Sequence, residues 1–93
     1  MKTEKPKKLI ELLNHLLIEK NKQTIGKIYI DIISETLKTE FLHDSNKPFL
    51  SLVYKNLIRL SIKDFIHTEQ SEESKSTLKE VIDILNSTLI VIK

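Results

Sequence analysis

Apolar residues recur at three- and four-residue steps in four successive stretches that fill nearly all of the 93 positions, and the polar connectors between them are short. A pattern of that period needs helices that share one buried side, so the possible folds reduce to small helical bundles.

Leu9, Leu13 and Leu16, with Ile10 and Leu17, line one side of a first helix over residues 6–19, for which Pro6 suits the opening turn. The polar run Glu19 to Thr24 ends it, and Thr24 is the expected N-cap of a second helix over 25–42. The apolar set of that helix is Ile25, Ile28, Tyr29, Ile32, Ile33, Leu37 and Phe41. Ile28 to Ile33 alone would suit a strand, but the same stripe runs on for about two more turns, which favours helix.

His43 to Lys47 forms the next connector, and Pro48 opens a third helix over 48–66. Apolar residues cover more than half of its circumference, leaving Ser51, Lys55, Arg59 and Lys63 as a polar strip. Such a helix is either the most buried of its bundle or carries an apolar strip for a partner. Thr68 is the expected N-cap of a fourth helix over 69–90, with Glu69, Glu72 and Glu73 near its positive end and Leu78, Val81, Ile82, Leu85 and Leu89 as its stripe. Successive β-branched residues at Ile90-Val91-Ile92 weaken helical preference and leave the last turn open. Short connectors make consecutive helices antiparallel, so the expected fold is all-α, an up-down-up-down four-helix bundle forming one domain over 1–93.

Composition narrows the chemistry. Without cysteine there is no disulfide or thiolate metal site, and stability has to come from burial of an aliphatic core. No apolar run approaches the roughly 18 residues of a membrane span, and the basic start (Lys2, Lys5, Lys7, Lys8) leads into an amphipathic segment rather than a secretory leader, so a cytoplasmic location is expected. Fifteen basic residues nearly balanced by 13 acidic ones, for a net charge of +2, give no bulk attraction to nucleic acid.

Glu40 and His43, echoed by Asp64 and His67, have the i, i+3 spacing of a di-metal bundle site, but both histidines fall at predicted helix ends, where they suit the dipole, and the partner carboxylates are missing. Glu11, His15 and Glu19 form an i, i+4 row without a nucleophile or oxyanion donor and are read as a solvated face. No catalytic residue, metal or cofactor is assigned, and the chain is not expected to be an enzyme. Lys55, Arg59 and Lys63 form a basic row that suits phosphate, acidic lipid or an acidic protein surface; pairing with Glu72, Glu80 and Asp83 of helix four would explain it equally well. The Lys2–Lys8 cluster keeps peripheral membrane contact open, with a solvated terminus as the simpler reading.

From Pro48 onward the chain resembles the enterocin A immunity family of class IIa bacteriocin immunity proteins. The resemblance rests on Pro-Phe-Leu-Ser-Leu-Val-Tyr-Lys-Asn-Leu opening a long aliphatic helix, a short turn, then Thr68-Glu69, Glu72-Glu73, Leu78, Glu80 and Val81. The first half agrees in size and phasing, with a basic start leading into Leu9, Ile10 and Leu13. The resemblance implies an antiparallel four-helix bundle that acts without catalysis, associating at the inner membrane face with the bacteriocin-occupied receptor, the mannose phosphotransferase permease, and blocking the pore. In the family the C-terminal half sets which bacteriocin is countered. The longer extension after helix four that is common among relatives is not seen here, so by the resemblance a specificity surface there is expected to be reduced to Leu89–Lys93. Lys55, Arg59, Lys63, Ile90 and Ile92 are the expected partner-binding residues of a monomer; a regulatory adaptor that dimerises through the apolar strip is the alternative.

Overall fold

The computed structural model describes residues 2–41 and 50–92. Expectations placed on 42–49, among them His43 and the helix start at Pro48, lie outside these residues, as do the Leu50 and Ser51 side chains and Lys93. Four helices, α1 (Lys7–Ile18), α2 (Lys22–Lys38), α3 (Leu50–His67) and α4 (Glu72–Asn86), are joined at one end by two short strands, β1 (Lys2–Glu4) and β2 (Ile90–Ile92). The chain is a four-helix bundle in which α1 packs on α2 and α4, α3 packs on α4, and the α2–α3 seam is the loosest of the four.

The core is where the apolar periodicity puts it. Leu9, Leu13 and Leu16 of α1, Ile28 and Ile32 of α2, Ile58, Ile62 and Phe65 of α3, and Leu78, Val81, Ile82 and Leu85 of α4 are buried in one cluster. Ile10, Leu17, Ile25, Tyr29 and Ile33 of the expected stripes are partly buried against this cluster, while Leu37 and Leu89 stand outside it, 70% and 46% exposed. On α2 the position facing inward is Thr36, whose hydroxyl donates to the Ile32 carbonyl at 2.6 Å, so this polar group enters the core already satisfied.

The helix boundaries differ from expectation for local reasons. Asn21 caps α2, its Oδ1 accepting from the Gln23 and Thr24 amides at 2.9 and 3.3 Å, so the helix starts three residues before Ile25 and Thr24 lies inside its first turn. Asn is at least as good a cap as Thr, and the earlier one wins. Thr68 is not the N-cap of α4. Its hydroxyl bonds back to the Asp64 carbonyl at 2.8 Å, and α3 closes in a Schellman turn, the Gln70 amide donating to the Phe65 carbonyl and the Glu69 amide to the Ile66 carbonyl. That reversal uses Glu69 and Gln70, so α4 begins at Glu72 behind a Ser71 cap.

Glu69 and Gln70 take φ of 55° and 63°, in the left-handed region that penalises a Cβ. Glu69 occupies the C′ position that favours glycine, so Glu69→Gly is expected to stabilise the fold by about 0.5–1 kcal/mol, read as a rise in denaturation midpoint without a change in m-value. No gain would mean that the turn is held open by something other than Cβ sterics.

Neither α2 nor α4 runs to its expected end. Thr39 and Thr88 each turn a hydroxyl back on the helix they follow, to the Glu35 carbonyl at 2.6 Å and the Ile84 carbonyl at 2.7 Å, and the chain leaves as extended backbone. Residues 90–92 form not helix but strand, paired antiparallel with residues 2–4 in the register Lys2↔Ile92, Thr3↔Val91, Glu4↔Ile90. On the other edge of β2, Phe41 forms a bridge with Ile90 and the Val91 amide donates to the Glu40 carbonyl at 3.0 Å. Phe41, expected on the second helix, is thus a buried connector residue, 5.3 Å from the Tyr54 ring. At the opposite end of the bundle the Gln70 side-chain amide donates to the Glu19 carbonyl at 2.8 Å, tying the two helical connectors together.

Candidate partner-binding surface

Phased on the helix, the buried side of α3 is Ile58, Ser61, Ile62 and Phe65, with Tyr54 and Leu57 at its margins. The opposite side therefore presents Leu52, Val53, Asn56, Arg59, Leu60, Lys63, Asp64 and His67, all exposed. Leu52, Val53 and Leu60 are 60%, 53% and 55% exposed. Of the two arrangements open to so apolar a helix, the structure adopts the second: three large aliphatic side chains stand in solvent, interleaved with Arg59 and Lys63.

The expected site residues do not form one patch. Lys55 is half-buried and spent on structure, its Nζ donating at 3.4 Å to the Leu37 carbonyl at the negative end of α2. Arg59 is exposed, with Nη2 3.4 Å from Asn56 Oδ1. Lys63, about 12 Å further along the helix than Lys55, lines a cleft against α2. Ile90 is half-buried, packed against the core from β2, while Ile92 is 37% exposed at the strand end. The proposed pairing of the basic row with α4 is not found: among the described residues none of Lys55, Arg59 and Lys63 makes a salt bridge, and Glu72 pairs with its own helix neighbour Lys75 at 3.6 Å.

Of the row Glu11, His15, Glu19, only the last two meet, His15 Nε2 lying 3.0 Å from Glu19 Oε2. The other Glu19 oxygen accepts the Asn21 and Lys20 amides at 3.1 Å each. These backbone donors, Asn21 first, and the His15 ring lower the Glu19 pKa below the ordinary carboxylate range. This carboxylate thus locks the α1–α2 connector. Among the described residues no group of three or more His, Cys, Asp or Glu side chains is placed to hold a metal ion.

The aliphatic residues on the outside of α3 were not singled out by sequence, because an exposed and a buried Leu look alike in a helix apolar around most of its circumference. The cleft residues of α2 were also missed, although the chain's one glycine, Gly26, stands among them.

Architecture and surface together define an all-α four-helix bundle that carries a mixed apolar and basic face on its third helix. Comparison with protein-family models, curated proteins and solved structures gives no match. No described helix is long and apolar enough to cross a membrane.

Proposed function

We propose that the chain is a non-enzymatic immunity protein of the enterocin A immunity type. It protects a cell from a pore-forming class IIa peptide by associating, from the cytoplasmic side, with the bacteriocin-occupied mannose permease. The observation that carries this reading is the outward face of α3, where Leu52, Val53 and Leu60 offer apolar anchors beside Arg59 and Lys63. Aliphatic side chains held in water on a rigid helix gain free energy only when a partner covers them, and neighbouring cations steer that partner and fix its register. The bundle agrees with the fold that the resemblance implies.

The test is expression in a bacteriocin-sensitive strain. The wild-type chain is expected to restore growth against at least one class IIa peptide, and Leu60→Asp and Arg59→Glu to abolish protection while keeping the helical circular dichroism spectrum. Unchanged killing across several class IIa peptides would remove the reading.

A dimerising adaptor is the second reading, favoured by Ile30 and Leu37 of α2, two further large aliphatic side chains left 62% and 70% exposed. Sedimentation distinguishes the two. A dimer that persists on dilution and is broken by Leu60→Asp supports the adaptor, whereas a monomer supports the immunity reading.

A further inference from the structure

The loose seam between α2 and α3 opens at one end of the bundle into a cleft of about 660 Å³, a size that suits a small-molecule ligand. Its walls come from the first two turns of α2 and the last turn of α3, and its end is closed where Gln70 reaches across to the Glu19 carbonyl. Ile25, Tyr29 and Ile66 make an apolar floor. Lys20, Lys22 and Lys63 stand around it, and among the described residues none of the three makes a salt bridge.

The placement of these lysines runs against local electrostatics. Lys22 opens α2, whose first turn holds no acid, so a cation sits on the positive end of the helix dipole with Lys20 beside it. The acids nearby do not relieve this. Glu19 is engaged by backbone amides and His15, and Glu69 is the single carboxylate on the lining. An anion held among these lysines would relieve this conflict at the mouth of the cleft.

We propose that this cleft binds an aliphatic chain carrying an anionic head group, with the chain along Ile25, Tyr29 and Ile66 and the carboxylate or phosphate head among Lys20, Lys22 and Lys63. Each half of the lining excludes a simpler ligand. Bare phosphate would leave the apolar floor uncovered, and a neutral apolar molecule would leave the three lysines without an anionic partner. Gly26 belongs to the same wall: a Cβ built there meets nothing within 4 Å, so the helix backbone is bare where the chain would lie.

The probes are sodium dodecanoate below its micellar concentration, phosphatidylglycerol vesicles, dodecyl maltoside and inorganic phosphate, titrated into the full chain by calorimetry and amide NMR. Saturable one-to-one binding of dodecanoate, with shifts centred on Ile25, Gly26 and Ile66, is expected. Affinity should fall at least tenfold in Gly26→Met, which fills the cleft from an exposed helical position, and at least tenfold in Lys22→Glu/Lys63→Glu. Maltoside and phosphate should bind at least tenfold more weakly than dodecanoate. Vesicle binding that fails in the same variants, without dodecanoate binding, would assign the head group to a bilayer lipid and uphold the site. The proposal is overturned if neither dodecanoate nor vesicles bind at millimolar concentration, if both folded variants bind as wild type, or if phosphate or maltoside matches dodecanoate. Leu60→Asp should bind dodecanoate unchanged, so failure of the immunity reading and failure of this one are separable.

Discussion

Ile58→Asp is expected to unfold the protein, or to destabilise it by at least about 4 kcal/mol, while Leu60→Asp, two residues further along the same helix, changes stability by no more than about 0.5 kcal/mol. Ile58 is 1% exposed and Leu60 55% exposed. A carboxylate at 58 would replace an aliphatic side chain in a cluster of hydrophobic core residues that contains no cation, so it must lose its charge, drag in water or open the bundle. At 60 the same group remains hydrated beside Arg59 and Lys63. Because burial raises the pKa of the introduced acid, the Ile58 variant should recover part of its stability as pH falls from that raised pKa toward about 4, and the recovery is complete once the unfolded chain also carries the proton. Urea titrations at pH 7 and pH 3.5 measure both effects. Equal losses at 58 and 60 would show that the helix is rotated relative to the face described above.

Phe41→Ala should cost about 3–5 kcal/mol, a large share of the roughly 5–15 kcal/mol that holds a small domain together. Phe41 is 1% exposed although it belongs to no helix; it bridges Ile90 and sits 5.3 Å from the Tyr54 ring. Truncation removes packing from three segments at once: the connector after α2, the start of α3 and the C-terminal strand. The loss should therefore reach beyond the helices. Hydrogen exchange is expected to show the Val91 amide, bonded at 3.0 Å to the Glu40 carbonyl, losing its protection in the variant. Phe41→Leu should retain most of the stability, since volume and apolarity are largely kept. A loss below about 1 kcal/mol for alanine would remove Phe41 from the core.

These two side chains show how far the sequence could be read. Ile58, Ile62 and Phe65 recur at helical spacing, as do Leu78, Val81, Ile82 and Leu85, and a period of 3.6 puts each set on one side of its helix whatever the partner is. The basic row Lys55, Arg59, Lys63 could be read in the same way. What this row faces could not. Lys55 reaches the end of α2 and Lys63 lines the cleft because α2 lies on that side of α3, and no spacing within α3 says which neighbour lies on which side. The cleft is hidden for the same reason, since Lys20 and Lys22 meet Lys63 only across a helix–helix seam.

Periodic burial along single elements is local information, so the number of helices, most of the inward stripes of α1, α2 and α4 and the aliphatic character of the core followed from the amino-acid order alone, whereas the inward side of α3 did not. Long-range pairing is not local. The fate of Ile90-Val91-Ile92 was decided by Lys2–Glu4 on one side and Phe41 on the other, because β-branched residues with weak helical preference extend when neighbouring backbone offers hydrogen bonds. The exposure of Leu52, Val53 and Leu60 was decided by the number of helices available: α3 has more apolar circumference than its neighbours in this bundle can cover.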